Sequence, residues 1–166
     1  MWSSFTKWLL WFLVYGLRIV VWPYTRCASI FRRKTALPPI TNPLLMDSAV
    51  RLAAKIRNRE ITCKEVVSSY IERIKAVNPL LNCVVQDRFD QALEEANNVD
   101  LKLAITTDSA DEIRRSMPLL GVPISVKESV AVKGMSNNAG RVIPKERIAS
   151  EDASTVKLLK NAGAIP

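Results

Sequence analysis

From Trp8 to Trp22 the chain reads WLLWFLVYGLRIVVW, apolar and aromatic throughout except for Arg18. A run of this kind reads as a membrane element. It is shorter than the roughly 20 apolar residues a bilayer crossing takes. Adding Phe5 and Tyr24, with Arg18 snorkelling toward a head group, makes a span feasible. Trp2, Trp8, Trp22 and Tyr24 suit the interfacial belts. A membrane anchor, spanning or lying in the interface, is the expected role. A cleaved signal peptide fits less well, because Arg18 interrupts the apolar region and no A-x-A site comes after it. The Arg32-Arg33-Lys34 cluster and Pro38-Pro39 separate the run sharply from the downstream residues, which argues against a buried helix of a soluble domain.

Charge divides the chain at the same place. Residues 1–34 hold six basic residues and no acidic ones, whereas the rest holds 18 basic and 16 acidic, giving the net +8. The basicity is therefore concentrated in the leader, and a nucleic-acid surface is not expected. The Arg/Lys excess after the run favours a cytoplasmic C-terminal part, an inclination that Arg18 opposes. Cys27, beside the anchor, is placed to accept a palmitoyl group, although a free thiol is the simpler expectation. The chain thus divides into three units: an anchor with its basic flank over 1–34, a linker over 35–46 (TALPPITNPLLM) that its three prolines keep extended, and a folded region over 47–166.

Within 47–166 the periodicity predicts an amphipathic helix from Asp47-Ser48 to Asn58. A second begins at the Thr62-Cys63-Lys64-Glu65 capping box, carries the stripe Val66, Val67, Tyr70, Ile71, Ile74 and Val77, and stops at Asn78-Pro79. Asn82-Cys83-Val84-Val85 reads as a strand. A third helix spans Arg88 to Leu103, with Phe89, Ala92, Leu93, Ala96 and Val99 inward. Its acidic residues Asp87, Asp90, Glu94 and Glu95 suggest a solvated face; Glu94 and Glu95 diverge by about 100° and do not converge on a metal or a proton. Residues 104–117 read as a surface loop. The last helix runs from Asp152 to Ala162, with Gly163 as its stop.

The chain has no histidine, which excludes Ser-His-Asp and Cys-His catalysis and His-ligated metals. Proton transfer then falls to Lys, a carboxylate, Tyr or Cys. Cys27, Cys63 and Cys83 form no C-x-x-C pair, so neither zinc nor a disulfide framework is expected. The candidate for chemistry is Lys127, in Gly121-Val122-Pro123-Ile124-Ser125-Val126-Lys127-Glu128-Ser129. Strand alternation puts Ile124 and Val126 on one face and Ser125, Lys127 and Ser129 on the other, so Lys127 and Glu128 point apart. Gly134, Asn137, Asn138 and Gly140 mark a loop beyond it. On its residues alone, a strand lysine with polar neighbours reads most simply as a solvated or salt-bridged edge residue.

GVPISVKES, then Gly134 and Gly140, then EDASTVKLLKNAGAIP, together with the Ile74-Lys75-Ala76-Val77-Asn78-Pro79-Leu80-Leu81-Asn82 run, resemble the amidase signature family over residues 43–166. With the apolar leader, the likeness is to its fatty-acid amide hydrolases. The resemblance implies an α/β fold, a mixed sheet flanked by helices, of which this chain supplies the N-terminal portion after its anchor helix. It implies a Ser–cis-Ser–Lys relay in which Lys127 is the base, buried enough to be neutral, and glycine-rich backbone amides hold the oxyanion. The implied substrate is a lipid amide, a fatty-acid amide or N-acylethanolamine that partitions into the bilayer beside the enzyme; no cofactor is implied. Both family serines come from a downstream Ser-Gly-rich stretch. The chain ends at Ala162-Gly163-Ala164-Ile165-Pro166, in mid-pattern, and is expected to be truncated before that stretch and inactive alone. Ser125, Ser129 and Ser136 occupy no matching motif, and a Ser125/Lys127 dyad lacks a designed oxyanion site. The other readings are a non-catalytic membrane-bound product and a general amidase without lipid preference.

Overall fold

The computed structural model describes residues 4–31, 35–141 and 147–166. Trp2 and the Arg32-Arg33-Lys34 cluster lie outside the described residues. The chain divides into two compact units, Met1–Ala36 and Leu37–Pro166.

In the first unit one helix, α1, runs from Ser4 to Phe31. It continues through Pro23, whose ring removes one backbone donor without ending the helix. Its segment Thr6–Ile30 is long and apolar enough to cross a membrane. Aromatic rings pair one turn apart along it: Trp11 stacks on Tyr15 with centroids 4.4 Å apart, and Arg26 lies 5.8 Å above the Trp22 ring.

The second unit begins with the proline-rich segment. It runs along the side of a later helix, where Arg73 donates to the Pro38 carbonyl at 2.7 Å and Asn42 to the Ser69 hydroxyl at 2.9 Å. The segment is not extended to its end. Pro43–Met46 closes into a 3₁₀ turn capped by the Asn42 side chain, and Leu44 is buried.

Helix α2 (Ala49–Arg57) starts at Ser48, whose hydroxyl accepts from Arg51 N. It buries Leu52, Ala53 and Ile56. Helix α3 (Cys63–Leu81) starts at Thr62, whose hydroxyl accepts from Glu65 N at 3.1 Å. Only this forward half of the expected capping box forms. The amides of Cys63 and Lys64 donate to the Asp100 carboxylate, at 2.7 and 2.9 Å. An acidic group at a helix N-terminus satisfies free donors and complements the helix dipole.

The helix does not stop at Asn78-Pro79 as the sequence suggests. It continues to Leu81 and ends at Asn82, which takes the left-handed conformation (φ 48°). Losing one donor inside the last turn costs little where the chain is already leaving the helix. Asn78 then accounts for the missing strand at 82–85. Its side-chain oxygen accepts from both Cys83 N and Val84 N at 2.9 Å, and its amide donates to Val84 O at 3.0 Å. Those backbone groups have no need of a neighbouring strand.

Helix α4 (Phe89–Ile105) returns antiparallel to α3 and buries Ala92, Ala96 and Leu103. Arg59 grips its C-terminal end, donating twice to the Leu103 carbonyl at 2.8 and 3.2 Å. Its acidic side is not wholly solvated. Glu95 pairs with Arg88 at 2.5 Å, and Arg88 also donates to the Pro166 carbonyl at 2.6 Å.

The supposed loop at 104–117 contains a helix, α5 (Ala110–Ser116), opened by a complete capping box between Ser109 and Glu112. Ile113 is its buried anchor. Helix α6 (Ser154–Asn161) buries Val156.

Among the described residues there is no β-strand, so the mixed sheet is not present in them. Two isolated bridges occur, Pro123 with Ile165 in parallel and Ser136 with Ile148 antiparallel. Around the first, residues 119–124 zip onto 162–165: Leu119 N donates to Ala162 O, Gly121 N to Gly163 O, Ile124 N to Ile165 O and Ile165 N to Val122 O, all within 2.9 Å. Pro123 contributes no donor to this pairing.

The core lies where this pairing meets α2 and α3. Cys63 is fully buried and its thiol donates to the Gly121 carbonyl at 3.6 Å. Burial, followed by the nearby Asp100 charge, pushes that thiol up to about 12. It is an inert packing group.

Gly163 sits at φ +93°, and a Cβ there would lie 2.7 Å from Leu120 Cα. Backbone cannot swing aside as a side chain can. Gly163→Ala should therefore lower stability by about 2–4 kcal/mol in chemical denaturation of the detergent-solubilised chain. Asp152 gives a pH-dependent counterpart. The Lys133 amide at 2.8 Å, and secondarily the Lys160 ammonium at 2.9 Å, hold its carboxyl below the ordinary 3.8, against an opposing effect of burial. A depressed folded value stabilises fully above the ordinary value and is lost as pH falls through the depressed one. Asp152→Asn should thus be less stable than the parent near neutrality, and the two should converge in denaturation midpoint as the pH drops below 3.8.

Candidate functional site

The pairing of 119–124 with 162–165 fixes the start of the segment that carries Lys127. Leu120 and Val122 point into the core. Beyond Pro123 the chain runs without helix to Lys127 and then turns, Val130 N donating to Lys127 O at 2.8 Å; Ser125, Lys127 and Ser129 are exposed while Ile124 and Val126 are half-buried, as the alternation suggested.

Ile124 and Val126 close one side of a cavity of about 360 Å³, whose other walls include Val67, Ile71 and Ile74 of α3 and Phe89 of α4. Lys127 belongs to its lining. Tyr70 lies there too, and burial, with the Asp47 charge second, pushes its phenol up. The site is thus an apolar hollow between two helices and an extended segment, with one amine at its open side.

The resemblance led us to expect a buried lysine. In this chain Lys127 is exposed, and among the described residues its ammonium makes no hydrogen bond or ion pair. Ser125 and Ser129 are exposed beside it, although Ser125 and Lys127 also border the cavity. Neither Ser125 nor Ser129 bonds to it, so the geometry offers no improvised dyad.

Glu128 does organise its surroundings, a role not read from the sequence. Its carboxylate accepts from Asn138 N and from Gly140 N, the latter at 3.0 Å, while its carbonyl accepts from the Asn137 side chain at 3.0 Å. Ala139, between those two amides, takes a left-handed φ of 56°, and Gly140 comes next at 71°. Successive amides turned inward in this way form a concave seat for an anion. Here an internal carboxylate fills it. Ser136 is tied down as well: its amide donates to Gln86 at 2.7 Å and its hydroxyl accepts from Asn138 at 3.0 Å. Asn138 completes the loop by accepting from Arg147 N at 2.9 Å.

The sequence signal for the helix at 110–116 was present, since Ser109 and Glu112 have the same spacing as Thr62 and Glu65. No comparable signal marks Glu128 or Asp100, because both act on backbone amides far along the chain, 10 to 12 residues away for Glu128 and 36 to 37 for Asp100.

Comparison with known proteins bears on this arrangement directly. The family described as Amidase matches residues 65–166. Fatty-acid amide hydrolase 2-A of Danio rerio is 48% identical over 155 residues, which cover 90% of this chain and 29% of that protein. Fatty-acid amide hydrolase 2 of Homo sapiens is 42% identical over 168 residues, covering 98% of this chain and 31% of that protein. The chain therefore spans about 30% of the length of these relatives. Among solved structures, a chain from a vestigial protein complex that bears on the evolutionary origins of an s-triazine catabolic enzyme superposes with a TM-score of 0.60. It is 24% identical, and the match covers 72% of this chain and 25% of that one. That likeness is one of fold. The matched span takes in α4, the Lys127 segment, the Glu128-bound loop and α6, so the site is built from family residues: the chain belongs to the amidase family.

Proposed function

We propose that this chain is the lysine-bearing N-terminal part of a membrane-associated serine amidase that hydrolyses fatty-acid amides and N-acylethanolamines. The observation that carries the reading is Lys127, an unpartnered amine at the open side of an apolar cavity. Its position in GVPISVKES matches the base lysine of the family. The names of the relatives, at 42% and 48% identity, supply the lipid amide class.

In this mechanism the neutral amine of Lys127 takes a proton, through a bridging serine, from a nucleophilic serine. The alkoxide attacks the amide carbonyl and the carbon–nitrogen bond breaks. The relay returns the proton to the departing amine, and water then releases the acyl group. Both serines are proposed to come from a Ser-Gly-rich stretch of a longer protein. That same sequence is proposed to cover the exposed face of Ser125, Lys127 and Ser129. Desolvating the amine in this way favours its neutral form, as a general base requires. The apolar helix α1 suits an enzyme whose substrate resides in the bilayer.

The test uses a longer protein that contains this segment and the Ser-Gly-rich stretch. Lys127→Ala should lower kcat for oleamide hydrolysis by about 10²–10⁴-fold, the usual worth of a general base. Rates equal to the parent would remove Lys127 from the mechanism. The same full-length protein should turn over oleamide faster than a short-chain amide at matched concentration. Equal kcat/KM on both would leave a general amidase and withdraw the lipid assignment.

A further inference from the structure

Helix α1 has two unlike faces, and their contents bear on how it meets a membrane. At about 100° per residue, the cations Lys7, Arg18 and Arg26 fall within one arc of roughly 100°. The hydroxyls of Thr25 and Ser29 share that arc, as do Trp8, Trp11, Tyr15 and Trp22. The remaining arc contains Leu9, Phe12, Leu13, Leu17, Val20 and Ile30 and no charged residue. Within the first arc Trp11 stacks on Tyr15 with centroids 4.4 Å apart and Arg26 lies over Trp22 at 5.8 Å, while Trp8 at its border meets Phe12 at 5.4 Å. The two hydroxyls bond back to their own helix, Thr25 to Trp22 O at 2.9 Å and Ser29 to Arg26 O at 2.7 Å.

Position along the axis is the second observation. The apolar segment Thr6–Ile30 is 25 residues long, and Arg18 is its central residue. Standing upright in a bilayer, such a helix would put Arg18 near the midplane, about 15 Å from either edge of the hydrocarbon. From there an arginine meets head groups only by drawing water and lipid inward, a cost that the in-plane pose does not carry. Lying flat, the same helix places Lys7, Arg18 and Arg26 at head-group level together. Its tryptophans then sit at the interface, where their rings are favoured, and its apolar arc faces the acyl chains.

We infer that α1 binds in the plane of one leaflet, with its Lys7–Arg18–Arg26 face toward anionic lipid head groups, rather than crossing the bilayer. Charge complementarity selects the occupant. The segment 6–30 carries three cations and no acidic residue. The inference rests on the membrane association proposed above and goes beyond it.

The test uses the full 166-residue chain with Cys27→Ser and Cys83→Ser, leaving only Cys63, which is buried. Single cysteines placed one at a time from position 9 to position 22 carry a nitroxide. Their accessibility to oxygen and to a nickel chelate is read in phosphatidylcholine–phosphatidylglycerol vesicles. The expected depth oscillates with a period near 3.6 residues, shallow at 11, 15, 18 and 22 and deep at 9, 13 and 20. A profile rising to a single maximum near 18 would show a crossing helix and overturn the inference while leaving membrane association intact. Protection of 11, 15, 18 and 22 from both reagents, with spin–spin broadening, would mean that a second copy covers this face, and would overturn it too. Failure of the parent chain to float with the vesicles would remove the membrane reading itself. As a separate arm, Arg18→Gln should weaken binding to the anionic vesicles about fivefold. Tighter binding by this variant is the signature of a spanning helix and would count decisively against an in-plane one.

Discussion

The folded unit depends on one close approach, between the backbone at Gly121 and the side chains of Cys63 and Ile56. Gly121 has φ +73°, and a Cβ on it would lie 2.6 Å from Cys63 Sγ and 2.8 Å from Ile56 Cδ1. Only glycine allows the chain to run this near while taking that conformation. From this contact α2 and α3 are joined to the 119–124 segment, and through Gly121 N and the Gly163 carbonyl, 2.9 Å apart, to the tail of α6. The Lys127 segment is positioned by the same contact, since it leaves the core directly from Val122 and Pro123. Fold and site therefore share one anchor.

Around that anchor, charged groups work mainly on backbone. Asp100 serves the first amides of α3, Arg59 the Leu103 carbonyl near the end of α4, Glu128 the loop at 138–140, and Asp152 the turn at Lys133. Each joins segments apart in sequence and satisfies helix-end or loop groups that would otherwise lack a protein partner. The extended segments themselves are held by the backbone pairing of 119–124 with 162–165.

Helices with a clean 3.6-residue stripe were legible from sequence: α2, α3 and α4 begin within a residue or two of their expected starts. The end of α3 was not, because Pro79 is a strong local signal that the Asn78 side chain and the left-handed backbone cap at Asn82 override. The strand at 82–85 failed for the same reason. Alternation around Lys127 could be read because it needs only the two faces of one segment. Its exposure agrees with the reading of its residues alone, a solvated edge lysine, whereas the burial that the resemblance implied depends on what lies over the face, which no residue within 121–129 encodes. Glu128 and Asp100 escaped notice as ordinary acidic residues among many.

The thiol bond from Cys63 to Gly121 spans 58 residues, and a ribosome delivers the chain in order. At about 5–20 residues per second, the apolar seam of α2 and α3 is made some 3–12 s before the glycine that covers it. During that interval Ile56 and Cys63 have no native partner on that side, while α1, already synthesised, is a second apolar surface in the same nascent chain. Nascent-chain holding factors, or early delivery of the leader to a bilayer, would keep the two from meeting.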